Sequence, residues 1–579
     1  MRILVTDAQE LAGLGAIRSL GKAGHDVTAG FPSNLRRPAS VYSRYCSGQR
    51  AYPDPWVSQP QFRQWLIRHN SEFDLVLPIS EAALLAASGC QSEMSPSAKI
   101  AVPSAHSLKF TLSKRKATEK AIAIGIPCAA AAFSIKDVQR VKSPYLVRTD
   151  NRLMPDDSYQ KGKTWYVEDP QELNELLLEL DESGEEWVLQ EYIVGKGAGA
   201  FLLRWDNQIL LKFAHDRIHE IPFYGGLSSL RKSANHPVLV EAASKFLSAI
   251  DYQGVAMVEF RLSNDNRAAY FVEINGRLWG SLALALHAGV DFPKAMVECY
   301  AGTPPQSVSS DYPLGIVCRN VYPGEVGYLL SILRAKGKIR GVYPPGKIRA
   351  VFEFLGWFFF PRVRYDFFWP RDPMPWVWQT IHACVDEFKS QWQKLIIKAR
   401  RRRLVREFDR KHQTTEPDLR KVLFLCYGNI CRSAFAEALW NTSMRNVRSA
   451  RSGGFHPGMN RRTPARIRLL AKRFGATLEH HRSKTIDRAA IEEATAIFVM
   501  DGQNIEDLMR TFPQARSKSW LLGSFVGVQE IPDPYLLPDI EAARSLQQIV
   551  ESVGNLLALQ VNGPLAMEER RSVNTRASS

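Results

Sequence analysis

The sequence predicts a multidomain α/β and α+β protein. Its 579 residues suffice for three or four folding units, and 45% of them are hydrophobic, an ordinary globular share. Its start alternates short branched apolar runs with helical stretches, the pattern of a parallel sheet. Near residue 398 it turns strongly basic, then polar, and a fresh apolar strand begins at Lys421.

The opening "MRILVTD" reads as a strand, followed by a helix closing at Lys22-Ala23-Gly24 and a second strand. "DLVLPIS" with "EAALLAAS" repeats the strand–helix pattern, and this first α/β unit ends near 105. A basic helix at 113–124 ends at Gly125 and Pro127. Strands follow at "PYLVRTD", "EWVLQEYI", "GAFLLRWDNQILLKFA", "GVAMVEFRLS" and "AAYFVEING", giving an α+β unit over 106–305. Residues 306–395 form an aromatic- and proline-rich extension, near whose end a helix-like run begins at Ile381 and turns basic; 396–420 read as a basic linker, 421–561 as a last α/β unit, and 562–579 as a disordered tail.

The net charge of +16 favours acidic or phosphorylated partners, although much of it reads as solvated surface. No nucleic-acid motif is present, so no nucleic acid is expected. The aromatic stretch 351–378 reads as core or interdomain packing, since its prolines break an amphipathic helix, and the "KARRRRLVR" run as a solvated helix face; together they keep peripheral membrane contact as the lesser reading. Cys46, Cys90, Cys128, Cys299, Cys318 and Cys384 lack metal-ligand spacing and read mostly as buried thiols. With no signal-peptide pattern or apolar span, the expected location is reducing and cytoplasmic.

In "FLCYGNICRSA" a strand enters a turn and then a helix, so backbone N–H groups and a helix N-terminus converge on one point. An anion there would meet the planar fork of Arg432, and the same field favours a thiolate at Cys426. Asp533, flanked by prolines in "EIPDPYLLPD", offers a proton for a leaving oxygen. Alone, Cys-x5-Arg is a weak signal, and a buried structural Cys fits it as well.

"CYGNICRS", "SGGFHPG", "HHRSK", "AIFVMDGQN" and "PDPY", in that order, resemble the low-molecular-weight protein tyrosine phosphatases from Lys421 to about Gln560. The resemblance implies a four-stranded parallel sheet and needs no cofactor. It makes Cys426 the nucleophile, Arg432 the transition-state clamp and Asp533 the general acid. Asn429 and Ser433 become loop organisers, and Cys431 a second thiol able to trap an oxidised nucleophile. Tyr535 would form one aromatic wall and Phe455 another. Ala434 and Leu536 depart from the family's proline and tyrosine, which bears on substrate preference. Ile430, where the arginine-phosphatase branch carries Thr, favours an aryl phosphate.

In the central unit, Glu259, Glu273 and Asn275 sit on strands, the last two on one face. Such oxygens suit Mg2+ beside a nucleotide. Arg277 continues that face if the strand persists, and could steady phosphate charge. With "LQEYIVG" upstream, the order resembles the ATP-grasp superfamily, especially its carbamoyl-phosphate-synthase-like and carboxylate–amine ligase members. The first domain is then a pre-ATP-grasp α/β domain.

That resemblance implies ATP and Mg2+ as cofactors, a carboxylate and an amine as substrates, and an acyl phosphate between them. Glu259, Glu273 and Asn275 become metal ligands and Arg277 catalytic. Gln190, Glu191, Tyr192 and Ile193 become the adenine hinge, with Lys114 and Arg148 on phosphates. His215, Arg217 and Arg231 would lie beside the acceptor. The loop after Arg148 is glycine-poor, with Lys161 and Lys163 as substitutes, and Ala198 stands where many members place a ribose-binding acid.

The expectation is thus a bifunctional ligase and phosphatase acting on a phosphorylated protein or small aryl phosphate. The alternative is an ATP-sensing module controlling a tyrosine phosphatase that acts on a partner such as a polysaccharide-export kinase. Oligomeric state is left open.

Overall fold

The computed structural model describes residues 1–95, 98–263, 268–305, 311–444 and 449–562. The tail read as disordered lies, from residue 563 on, outside the described residues. The chain divides into two compact units, Met1–Val385 and Asp386–Ser579.

The first unit opens with a five-stranded parallel sheet: β1 (Arg2–Val5), β2 (Asp26–Pro32), β3 (Gly48–Tyr52), β4 (Leu75–Leu77) and β5 (Lys99–Ile100), in the order β3-β2-β1-β4-β5. β1 and β4 are covered on both faces, which is why Ile3, Leu4, Val5, Leu75 and Leu77 read as unbroken apolar runs. The helix Leu11–Lys22 stops at Gly24, whose φ of +88° suits glycine.

A four-stranded antiparallel sheet follows, ordered β10-β7-β11-β6, from β6 (Ala131–Ala132), β7 (Tyr145–Thr149), β10 (Thr164–Val167) and β11 (Trp187–Glu191). Between β7 and β10 lies the small hairpin β8 (Arg152–Leu153) and β9 (Tyr159–Gln160).

The larger sheet takes β12 (Gly195–Trp205), β13 (Gln208–Ile221), β14 (Leu227–Ser233), β15 (Gly254–Ser263) and β16 (Ala269–Asn275). The run read as one strand from residue 199 is a hairpin, β12 with β13. Asp206 and Asn207 turn it at positive φ, which short polar side chains tolerate. Alternation along β12 feeds two cores. Phe201 and Leu203 face Trp279 and the helix Leu282–His287, whereas Ala198, Ala200 and Leu202 face the helix Pro237–Ala249.

The aromatic extension adds β17 (Val317–Arg319) and β18 (Val363–Tyr365), completing the order β16-β15-β12-β13-β14-β17-β18. Buried ion pairs join it to earlier segments. Arg18 Nε meets Asp372 Oδ2 at 2.8 Å with both side chains 1% exposed, and Arg231 binds Asp366. Five of the six scattered cysteines are buried or half-buried, but Cys384 is exposed.

In the second unit β19 (Val422–Cys426), β20 (Arg451–Gly454), β21 (Ala496–Val499) and β22 (Ser519–Leu521) form a four-stranded parallel sheet ordered β20-β19-β21-β22. The helix-like run from Ile381 is part of the helix Met374–Thr414, so residues 396–414 of the expected linker are helical. Its arginines mask an apolar stripe: Val405 and Phe408 are buried with Leu423, Leu425 and Ile497. Arg401 Nε donates to Glu506 at 3.0 Å, and Lys411 Nζ to the carbonyls of Arg516, Ser517 and Ser519. Among the described residues no helix is long and apolar enough to cross a membrane.

Candidate active sites

Cys426 ends β19, and the chain turns through Gly428 and Asn429 into the helix Arg432–Ser443. The Asn429 amide donates to Cys426 Sγ at 3.2 Å, and Ser433 Oγ lies 3.0 Å from the sulfur. Asn429 holds a left-handed φ of +50° with no exposed surface. Its side-chain amide donates to Ser433 Oγ (3.0 Å) and Ser452 Oγ (2.8 Å), while its Oδ1 accepts from the Lys484 amide (2.8 Å). His481 Nε2–H donates to the Asn429 carbonyl at 2.7 Å. Burial pushes the His481 pKa down, which favours a neutral ring as that donor. Gly454 lets the loop pass, since a Cβ there would sit 2.8 Å from the Tyr427 carbonyl. The "HHRSK" and "SGG" segments are thus the walls that fix the loop.

Arg432 bridges two acids. Its Nη1 donates to Asp501 Oδ2 (2.5 Å) and to the Ile531 carbonyl (3.0 Å), and its Nη2 to Asp533 Oδ2 (2.9 Å). Burial alone would weaken its charge, but Asp501, Cys426 and Asp533 outweigh that and raise its pKa. Asp533 also caps the turn Pro534–Leu536 through the Tyr535 amide, and its side chain is 48% exposed, open to solvent. Cys431 is 2% exposed, and burial, then the Asp533 charge, holds its thiol well above the usual range. The aromatic rim is Tyr535 and Tyr427, both about half exposed, with Tyr427 edge-on to His456. Phe455, expected as a wall, is half-buried and packs with Ile486 against the core beneath β19 and β21. The Phe455 amide donates to the Cys426 carbonyl at 3.3 Å, continuing the β20–β19 pairing, and the side chain leaves on the face that this core covers.

In the first unit, Glu259 on β15 and Glu273 on β16 are cross-strand partners. Asn275 Nδ2 donates to Glu273 Oε1 at 3.4 Å. Both carboxylates meet guanidinium groups: Arg217 Nη2 lies 2.6 Å from Glu259, and Arg148 Nη1 3.6 Å from Glu273. Burial raises the Glu259 pKa and the Glu273 charge adds to this, against the pull of Arg217. Arg148, itself buried, also donates to Gln190 Oε1 (2.6 Å) and the Val272 carbonyl (3.0 Å). The Lys114 amide donates to Asp150, and its ammonium reaches the Thr149 carbonyl at 3.4 Å, beside Arg148.

Gln190 and Glu191 end β11, and Tyr192 and Ile193 follow directly, half-buried. Tyr192 Oη donates to the Tyr224 carbonyl. Arg277 lies past the end of β16, where the strand stops at Asn275, and donates to the Leu278 carbonyl. It faces Glu10 and Glu81, whose pKa values burial raises and Arg277 partly restores. Lys161 sits over Trp56 and Lys163 over Trp165.

Residues 421–565 match the model for low molecular weight phosphotyrosine protein phosphatase. The Escherichia coli low molecular weight protein-tyrosine-phosphatase Etp is 30% identical over 114 residues, 20% of this chain and 76% of that protein. The Schizosaccharomyces pombe low molecular weight phosphotyrosine protein phosphatase is 33% identical over 128 residues, 20% of this chain and 80% of its own length. The chain belongs to the low molecular weight phosphotyrosine protein phosphatase family. Residues 185–319 match the model for the ATP-grasp in the biosynthetic pathway with Ter operon, so an ATP-grasp domain precedes the phosphatase domain. The solved L-amino acid ligase from Bacillus licheniformis covers 52% of this chain and 73% of its own at 16% identity and a TM-score of 0.39, too slight a likeness to build on.

Sequence reasoning placed Cys426, Asn429, Arg432, Ser433 and Asp533 of the phosphatase domain together, and the structure does too. In the first unit it gathers Lys114, Arg148, Gln190, Arg217, Glu259, Glu273 and Asn275. Arg231, expected beside an acceptor, is instead fully buried against Asp366, because β14 pairs with β17 and points it into the extension. His215 is 1% exposed beneath the sheet, edge-on to Phe201, and burial holds its pKa well below the usual value, so it lines no open acceptor site. Ala198 is buried in a core. The sequence reading missed Asp501, Glu81 and Tyr427. Only Asp501 had a signal, as an N-cap to Asn504 inside "VMDGQN".

Proposed function

We propose that the phosphatase domain hydrolyses aryl phosphates, such as phosphotyrosine in a protein, through a phosphocysteine. Support comes from one observation above all: Cys426 Sγ is held by an amide and a hydroxyl at the mouth of a helix, with Arg432 fixed between Asp501 and Asp533. The Cys426 thiolate attacks phosphorus, and Asp533 gives its proton to the departing aryl oxygen, releasing a phenol. Water then attacks the phosphocysteine, Asp533 takes its proton, and phosphate leaves with the thiolate restored. Arg432 and the loop amides stabilise the equatorial oxygens in both steps. Replacing Cys426 by Ser is expected to abolish p-nitrophenyl phosphate hydrolysis, and retained turnover would refute this reading.

For the ATP-grasp domain we propose ATP-dependent activation of a carboxylate, followed by amine attack on the acyl phosphate. The donors fit a hard cation: two carboxylates and an amide oxygen lie on adjacent strands, and crowding at Glu259 and Glu273 would be relieved by one. Glu259, Glu273 and Asn275 would hold Mg2+, which when bound neutralises phosphate charge. Arg148 and Lys114 would bind phosphate oxygens, and the 190–193 hinge the adenine. A shift in unfolding temperature with Mg-ATP, lost in Glu273→Ala, is expected, and no shift in the parent protein would refute nucleotide binding.

The regulatory alternative draws on the arginine contacts at Glu259 and Glu273, which suit a domain that binds nucleotide without turning it over. ADP release that depends on added carboxylate and amine separates the two readings.

A further inference from the structure

The helix Lys347–Gly356 carries large apolar side chains on two sides. Its inner face is accounted for. Ala350 is buried, and Glu353 meets His219 Nε2 at 3.3 Å. Phe354 and Phe358 sandwich the Arg319 guanidinium at 4.5 and 4.4 Å, and Trp357 packs on Leu230, Val317 and Val363. The outer face repeats the helical spacing with Ile348, Phe352 and Leu355, which are 75%, 70% and 49% exposed, and Phe359, three residues past the helix end, is 86% exposed. An apolar helix face left in water belongs in a core or against lipid, and this helix is anchored on one side only.

The charge around it names the occupant. Residues 326–364 hold eight Lys and Arg against one acid, Glu353, and that acid is turned inward to His219. Lys336, Lys347, Arg349 and Arg362 are exposed around the apolar face. Large apolar side chains ringed by cations, on a helix of modest length, match the headgroup boundary of an anionic bilayer. A protein partner would need an acidic and apolar surface of matching shape. A bilayer needs only this composition.

We propose that this face docks the protein peripherally on anionic membrane, with Ile348, Phe352 and Phe359 in the acyl boundary and Lys347 and Arg349 on headgroups. The basic run at 398–406, the alternative lipid site in the sequence, is partly spent elsewhere, because Arg400 and Arg401 pair with Glu506 and Val405 is buried.

The test is co-sedimentation of the full chain with phosphatidylcholine vesicles, with and without about one-third phosphatidylglycerol. Binding to the anionic vesicles is expected, weakening with salt. Phe352→Asp with Phe359→Asp should abolish it, and Lys347→Gln with Arg349→Gln should weaken it by about fivefold per charge removed. Arg400→Gln with Arg401→Gln should leave it within about twofold. The altered side chains other than Arg401 are largely exposed, and folding of every variant is checked by unchanged circular dichroism. No binding by the parent protein, equal binding by the Asp variant, or loss only in the Arg400/Arg401 variant would overturn the proposal. So would a dimer dissociated by the Asp changes without vesicle binding, which would make a second copy the occupant.

Discussion

Arg217 Nη2 lies 2.6 Å from Glu259 Oε1, so a carboxylate suited to a cation is held by a guanidinium from its own sheet. Removing one partner of a largely buried pair leaves the other charge unpaired, a loss of about 3 kcal/mol. Arg217→Gln should therefore lower the unfolding temperature. Millimolar Mg2+ should then raise it more in the variant than in the parent, by filling the vacated charge. Equal Mg2+ effects, read by calorimetry, would mean that Glu259 receives no cation.

Asp501 grips the same Arg432 nitrogen that donates to the Ile531 carbonyl. Asp501→Asn keeps the cap on the helix Gly502–Thr511 but loses the ion pair. The expected result is a kcat for aryl phosphate hydrolysis lowered by about 10- to 100-fold, with weaker inhibition by phosphate, because a misplaced clamp forfeits orientation. Steady-state kinetics decide it, and an unchanged kcat would remove Asp501 from the machinery.

Asp533→Ala should slow turnover by about 100-fold or more with phenyl phosphate and much less with p-nitrophenyl phosphate. The better leaving group needs less protonation. A loss equal for both substrates would show that Asp533 acts only by holding Arg432.

His287 is packed against Trp369 with Nε2–H donating to the Tyr365 carbonyl, and burial lowers its pKa to about 4. The unfolded chain takes up this proton near pH 6.5, the folded one only near 4. The contribution is thus present above pH 6.5 and is lost as pH falls towards 4, up to about 3 kcal/mol. His287→Gln should flatten the fall in urea midpoint between pH 7 and 5, and an identical slope would exclude His287.

The phosphate loop was legible because its chemistry lies in one short run, where Cys426, Asn429, Arg432 and Ser433 follow in order. Asp533 was legible from its prolines. Asp501 sits in the "VMDGQN" motif without a legible role, since its partner lies 69 residues away and its capping geometry already accounts for it. Arg231 misled for the opposite reason. A basic residue in a polar stretch suggests a ligand, and nothing local announces Asp366, 135 residues on. The arginines of 400–403 similarly outweighed the apolar period of Leu404, Val405 and Phe408. Chemistry contained in one short run reads well, whereas pairings between distant elements, and an apolar stripe masked by charge, do not.

The family resemblance begins at Lys421, but the hydrophobic centre it sits on does not. Val405 and Phe408 fill space against Leu423, Leu425 and Ile497, and Lys411 closes three carbonyls beside Trp520. A fragment cut at the homology boundary would bare that groove and expose strand β19 from behind. Excision before residue 386 would keep the plug. The two fragments should differ in yield and melting point by the worth of two core side chains, so the folding unit here is longer than the recognisable one.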